Sequence, residues 1–202
     1  IHYSPLTKSG NVFIEDSSQK FPYVNISGNL NHLLVSKVIA KGAGQNVFQN
    51  FRYYGAVSHA EGLGFLGFIG IARTNTYGNN TPSRWSLSRH DPKLRGAMTH
   101  NWQPEINPFL TYPFKNIFSV PSNNFTQKTT IQYNSQTQNN GVFVTTVDNS
   151  KTEDALNGFT TYMSYLYDDH FNPTEILTER EGGSTKEQFS YSNDTSKTDH
   201  TY

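Results

Sequence analysis

The residue types that most often carry chemistry are sparse in this sequence and widely spaced. Cysteine is absent and there are seven histidines. Without cysteine, a thiolate nucleophile, a disulfide and a zinc–thiolate site are all excluded. No two histidines stand two or four positions apart, the spacings that place side chains on one strand face or one helix face. They are His2, His32, His59, His90, His100, His170 and His200. The histidine pattern therefore favours no metal site.

One pair of residues has the spacing of an acid–base pair. His59 and Glu61 are two positions apart, so in a strand both side chains would lie on one face. A hydrogen bond or an ion pair within a hairpin explains the same spacing. We favour the structural interpretation.

A polar loop near the C-terminal end resembles a calcium loop in composition. It lacks the fixed glycine and the final bidentate glutamate of an EF-hand loop, which argues against calcium. Its candidate ligands would be Asp168, Asp169, His170, Asn172 and Glu175.

Three glycines match the spacing of a phosphate-binding loop. Gly62, Gly64 and Gly67 have the G-x-G-x-x-G spacing, but bulky Phe65 and Leu66 stand between them and no helical pattern follows. We interpret these glycines as positions that bend strands or exclude a side chain. The sequence predicts no catalytic residue, no cofactor-binding residue and no metal ligand, and we expect a protein that is not an enzyme.

Aromatic side chains suggest one binding function. Trp85 and Trp102, if exposed, could line a sugar-binding groove, because aromatic faces suit sugar rings. In an antiparallel sheet such residues more often pack against a neighbouring strand.

The segment 51–73 is the densest apolar and glycine-rich part of the chain, and we expect the rest to be organised around it. The glycines recur too closely for a helix interior, so the pattern predicts strand, turn and strand. Its apolar side chains are predicted to be buried, with Phe65 and Phe68 in the core. The others are Phe51, Tyr53, Tyr54, Leu63, Leu66, Ile69 and Ile71.

Alternating patterns separated by turn residues predict strands along most of the remaining chain. The apolar spacing of 30–40 also fits a helix, but its β-branched residues favour a strand that forms a hairpin with 47–51. In 159–167 the aromatic face is predicted to be the core face. Asp91, Pro92 and Gly96 predict one short helical turn. The prolines of 103–121 predict a path along an edge or over the surface. The other predicted strands are 12–14, 85–88, 128–134, 141–148, 174–180 and 186–192.

Composition supports an all-β protein and gives no electrostatic partner. Lysine plus arginine equals aspartate plus glutamate at 16 each, so no net field attracts nucleic acid. No apolar run approaches the roughly 20 residues that span a bilayer. We predict one all-β domain, an antiparallel meander or coiled sheet with at most one or two short helical turns. It would comprise an irregular segment 1–20, a strand-rich part 21–125 and a meander 126–202.

Two segments resemble the Rhs/YD-repeat family. The run YYGAVSHAEGLGFLGF at 53–68 resembles its Y-Y-G-A and E-G-x-G-F-L-G-F signature. The run YLYDDHFNPTEI at 165–176 resembles one YD repeat, with Phe171 where the repeat usually has glycine, which predicts a wider turn. Its matching positions are Tyr165, Tyr167, Asp168, Asn172 and Ile176. The branch concerned includes shell proteins of insecticidal toxin complexes and large surface proteins of Bacteroidetes.

The resemblance implies a non-catalytic shell segment, secreted or at the cell surface, whose partner is the rest of its own polypeptide with a C-terminal cargo. The alternative is a carbohydrate-binding or adhesin module. The first residue, Ile1, and the last, Tyr202, suggest a fragment of something longer. Exposed edge strands at 12–14 and 186–191 would then favour pairing between copies.

Overall fold

The structure is a computed structural model that describes residues 1–6, 10–26, 32–42, 45–78, 81–111, 116–139 and 141–191. Within these ranges the strands form one 13-stranded sheet, almost entirely antiparallel, which confirms the all-β fold. The strands are β1 (His2–Pro5), β2 (Phe13–Ile14), β3 (Tyr23–Asn25), β4 (Leu33–Gly42), β5 (Gln45–His59), β6 (Gly64–Thr74), β7 (Trp85–Asp91), β8 (Ala97–Pro104), β9 (Phe125–Thr137), β10 (Phe143–Asp154), β11 (Phe159–Tyr167), β12 (Pro173–Arg180) and β13 (Gly183–Gln188). Helical structure in the described residues consists of α1 (Pro108–Thr111) and two 3-10 turns, Pro92–Leu94 and Asn116–Phe118.

Strand order follows chain order from β4 to β13, so the sheet is a meander. Strand β13 forms one edge of the sheet. The short strand β1 pairs with β4 and forms the opposite edge. The prediction of a strand and a hairpin is confirmed for β4 and β5, which pair antiparallel; residues 27–31 lie outside the described part of the chain.

Strand β5 is the organising element, as the sequence predicted for 51–73. At 15 residues it is the longest strand of the described chain. One of its sides pairs in succession with β4, β2 and β3, and the other pairs with β6. The edge predicted at 12–14 is β2, which pairs with β5 on one side and with no other described strand, but its side chain Phe13 is buried. Phe13 of β2 is paired with Tyr53 of β5 and is 1% exposed.

Two small cores lie against β5. Tyr53 packs on one, formed by Leu6, Phe13, Leu34 and Ala56. Tyr54 packs on the other, because successive side chains of a strand point to opposite faces. That second cluster contains Ala72, Trp85, Leu87, Trp102, Ile117 and Phe118.

The proline-rich segment after β8 covers the second cluster. Its two short helices bring Phe109 and Phe118 onto the sheet, where Phe109 packs against Trp85 with ring centroids 4.3 Å apart. A Cβ at Gly70 would overlap the ring of Phe118, so only glycine permits this close approach. The segment thus lies over one sheet face and completes a core.

The predicted burial of the 51–73 segment is correct only in part. Ile69 and Ala72 are buried, but Phe65 is 50% exposed and Leu63 is 47% exposed. Both lie at the turn between β5 and β6, beyond the reach of the covering segments. Phe68, by contrast, packs against Tyr53 and the first core.

From β10 onward the sheet is a single layer. No residue after Phe125 is buried within the described chain. The prediction of an aromatic core face on β11 is therefore wrong: Met163, Tyr165 and Tyr167 are half-buried and Phe159 is 58% exposed. No segment of the described residues covers this part of the sheet, so the alternation there indicates only which face is less exposed. No helix in the described residues is long and apolar enough to cross a membrane.

Candidate functional site

His59 is the last residue of β5, and Glu61 lies in the turn that follows. Their side chains form no acid–base pair. The backbone N–H of Glu61 donates to Nδ1 of His59 over 3.2 Å. The imidazole also meets the ring of Tyr23 edge-on at 5.3 Å between centroids. Glu61 itself is exposed in the turn after β5. The structural interpretation of this spacing accounts for both residues.

The calcium-like loop is a hairpin turn whose oxygens are already engaged. Asp168 accepts hydrogen bonds from the backbone N–H groups of His170 and Asn172, at 2.8 and 2.9 Å, and from the Asn172 amide at 3.1 Å. The bonds from Asn172 and then from His170 lower the pKa of Asp168. Glu175 instead pairs with Lys186 at 2.7 Å. Among the described residues, no three histidine, aspartate or glutamate side chains are placed to hold a metal ion.

The G-x-G-x-x-G glycines serve the backbone of a hairpin. Gly64 and Gly67 have φ of 70° and 104°, the left-handed region that favours glycine. Gly64 begins strand β6 and Gly67 lies within it, so these glycines belong to a strand and do not open a helix. A Cβ at either position would meet nothing within 4 Å. The prediction is thus confirmed for backbone conformation and wrong for close contact.

The predicted helical turn is confirmed. Oδ1 of Asp91 accepts from the backbone N–H of Lys93 at 2.9 Å, Pro92 begins the 3-10 turn, and Gly96 follows it with φ of 82°. A Cβ at Gly96 would overlap the carbonyl oxygen of Leu66. The turn is therefore held close to β6.

Both tryptophans lie in the core, which corrects their proposed role in sugar binding. Trp85 is 6% exposed and Trp102 is 3% exposed. Trp102 pairs directly with Leu87 across β7 and β8. Neither indole can present a face to a ligand without disrupting the second core.

A buried carboxylate that sequence reasoning missed joins the N-terminal segment to β5. Asp16 is 3% exposed and accepts hydrogen bonds from Ser18 Oγ at 2.6 Å, Tyr54 Oη at 2.9 Å and Gln19 Nε2 at 3.0 Å. Burial alone would raise the pKa of Asp16, but these bonds outweigh burial and the pKa is lowered. Burial, followed by the hydrogen bond to Asp16, raises the pKa of Tyr54 to about 12. Asp16 and Tyr54 are 38 positions apart, so no local sequence pattern predicts their hydrogen bond.

Strands β9 to β13, residues 125–188 and hereafter the meander, contain no buried residue after Phe125 in their described part. On one face a row of residues crosses the strands directly from Thr129 to Thr152 to Thr161, and the first two hydroxyls are 3.0 Å apart. On the other face Lys128 pairs with Glu153 at 2.9 Å. Polar cross-strand pairs thus replace a core here.

Apolar side chains remain uncovered on both faces of the meander. Phe159 points to the threonine face and is 58% exposed, while Leu166 points to the other and is 60% exposed. Tyr162, on the same face as Leu166, is 49% exposed. A partner that covered these side chains would remove apolar surface from water, which is favourable.

The segment that resembles a YD repeat is one hairpin of this meander. Tyr165 and Ile176 are directly paired on β11 and β12. The hydroxyl of Tyr167 donates to the carbonyl oxygen of Val147 on β10 at 2.9 Å, so the hairpin is joined to the preceding strand. Phe171 has φ of 64°, a conformation that glycine adopts without strain. The carboxylate of Asp168 closes this turn by accepting hydrogen bonds from Asn172.

Comparison with family models, with curated proteins and with solved structures gives no match for this chain.

Proposed function

We propose that this chain is a non-catalytic structural segment of a Rhs/YD-repeat shell protein, secreted or at the cell surface. The observation that carries the proposal is the part of the meander from β10 to β13. Its described residues form a single-layer sheet with no buried residue and with exposed apolar side chains on both faces. The surface location and the cargo rest on the resemblance alone.

An uncovered sheet requires a partner for physical reasons. Burying apolar surface stabilises a fold by roughly 25 cal/mol per Å² of area removed from water. A single-layer sheet gains little of this stabilisation, because its apolar side chains stay in water. A shell supplies the missing contact, because each part of a coiled sheet packs against the next part or against enclosed material. Phe159, Tyr162 and Leu166 are the side chains that such a contact would cover.

The hairpin at 165–176 also suits a repeating shell. Its turn is closed within the hairpin by Asp168 and Asn172, and Tyr167 bonds to Val147 of the preceding strand, so the second contact joins neighbouring units. A unit of this kind can be added repeatedly without a new core.

Hydrogen exchange on the parent polypeptide tests the proposal. Amides of β11 to β13 should exchange faster in this chain alone than in the whole polypeptide, because further protein would cover or extend the sheet there. Amides of β5 and β6, already covered by two cores, should show little change and serve as the internal control. Equal exchange of β11 to β13 in both proteins would contradict the shell proposal.

A carbohydrate-binding module is the second candidate, and one feature favours it. A shallow cleft of about 590 Å³ on the threonine face is lined by Phe159, Thr161, Asp154 and Arg180, an aromatic ring beside polar groups. Glycan-array binding that is lost in Phe159→Ala and kept in Leu166→Ala, on the opposite face, would support this candidate. No binding to any glycan would remove it.

A further inference from the structure

A cationic cleft opens where β7, β8 and the Pro92–Leu94 turn meet. Its volume is about 670 Å³. Ile69 and Val120 form its apolar part. Its nitrogen-bearing side chains are those of Arg89, His90, Lys93 and His100.

Within the part of the chain that the structure describes, neither permanent cation of this cleft forms an ion pair, although the lining contains one carboxylate. Arg89 is exposed, and its direct cross-strand neighbours are Gly70 and His100, neither of which is anionic. Asp91 is the carboxylate of the lining, and its Oδ1 already accepts from the Lys93 backbone. The described lysines of the meander differ in this respect. Lys128, Lys151 and Lys186 each lie within 3.1 Å of a glutamate oxygen.

The neighbouring imidazole, His100, lies between Arg89 and Lys128, and Lys128 is paired with Glu153. His100 is half-buried, and burial, followed by the positive charges of Arg89 and Lys128, lowers its pKa. Its Nδ1 lies 3.0 Å from the Thr99 hydroxyl. The cleft therefore presents a guanidinium and an imidazole side by side on one sheet face, because Arg89 and His100 are directly paired across β7 and β8.

We propose that this cleft binds a small organic oxyanion, a carboxylate or a phosphate monoester, through Arg89 and His100. The guanidinium fork matches both groups in bidentate geometry, since two parallel N–H donors meet two oxygens. Ile69 and Val120 contact the apolar body of the ligand. This site is independent of the shell proposal, because it depends on the covered half of the sheet.

An NMR titration of the whole chain tests the site with three named compounds. Phenyl phosphate and benzoate supply the two oxyanions on the same ring, and benzyl alcohol is the neutral control. We expect saturable shifts of Arg89 and His100 signals with one or both anions and none with benzyl alcohol. The stronger anion identifies the ligand class. No saturable shift with either anion would overturn the proposal.

Variants separate this site from general attraction to positive charge. Arg89→Gln should weaken binding by at least about tenfold, because the ligand loses its bidentate partner. Arg84→Gln is the matched control, an exposed arginine in the loop before β7. Equal weakening in both variants, or none in Arg89→Gln, would refute the assignment. The affinity of Lys93→Gln for the same anions measures the contribution of the second cation of the lining.

The titration of His100 provides a readout that a structural role of Arg89 would not give. The charged groups around it are Arg89 of β7, Lys128 of β9, and His90, Asp91 and Lys93 across the cleft. A bound anion should raise the pKa of His100, because its negative charge offsets those cations. An unchanged pKa at saturation would place the anion elsewhere.

Discussion

At the scale of single residues, Asp16 shows how one buried charge can hold a segment with little regular structure. The carboxylate has three side-chain donors, which lie in its own turn and on β5. Hydrogen bonds to a charged group contribute about 1.5 to 3 kcal/mol each, more than bonds between neutral groups. The N-terminal segment is therefore attached to β5 by polar contacts as well as by the burial of Phe13.

Asp16→Asn should destabilise the protein by about 1 to 3 kcal/mol at pH 7, because the amide brings donors to a site that supplies donors. The folded pKa of Asp16 is lowered, so its stabilisation is complete above the unfolded pKa of about 3.9 and is lost as pH falls through the folded value. Urea unfolding of both proteins should thus converge as the pH falls from about 5 to 2. Asp169→Asn, at an exposed carboxylate, is the control. A difference that does not depend on pH would show that the charge of Asp16 is not what stabilises the segment.

Gly70→Ala should destabilise by about 1 to 3 kcal/mol, because the new Cβ would overlap the ring of Phe118. Gly42→Ala provides the comparison, since a Cβ there meets nothing within 4 Å and its φ is ordinary. Urea denaturation measures both. If the two variants unfold alike, the proline-rich segment does not pack on β6 as described.

At the scale of elements, the burial of aromatic side chains changes along the β5–β6 hairpin. Near its middle, Phe68 packs against Tyr53 with ring centroids 4.7 Å apart. Near its turn, Phe65 contacts Phe68 but leaves half of its surface in water. One element thus carries a core residue and an exposed aromatic three positions apart.

Phe68→Ala should cost about 2 to 4 kcal/mol, whereas Phe65→Ala should cost about 1 kcal/mol or less. The sequence alone predicted that both side chains lie in the core, which would make both losses large. The reason for the difference is that covering segments reach only the middle of the hairpin. Denaturant melts of the two variants decide the matter, and equal losses would mean that the turn end is covered in solution.

At the scale of the whole molecule, the sheet ends in two edges with different protection. Strand β1 carries Pro5, which offers no backbone donor. Strand β13 has no proline but carries Lys186, bonded to Glu175 of β12. A charged lysine on an edge strand disfavours pairing with another chain.

Lys186→Thr should increase concentration-dependent association, because the substitution removes the charge and keeps strand propensity. Lys151→Thr is the matched control, because this lysine also pairs with a glutamate but lies on β10 between Thr130 of β9 and Tyr162 of β11. Light scattering over a concentration series measures the effect. Identical behaviour of both variants would show that β13 is not an open edge in solution.

Local features of this protein could be predicted from its sequence. The meander strands, the hairpin between β4 and β5, and the Asp91 cap depend on residues close in the chain. Alternation, turn residues and caps act over a few positions, so their patterns are visible without a structure. The glycine conformations at Gly64 and Gly67 belong to the same class.

Burial and the joining of distant side chains were decided only by tertiary structure. Trp85 and Trp102 became core residues because the segment after β8 folds back over them, whereas Phe159 stayed exposed because no segment of the described chain covers β11. Strand register placed Arg89 beside His100, and a segment far away in the chain placed Asp16 under Tyr54. Such contacts depend on pairing and covering over long sequence separations, where composition and spacing carry no information.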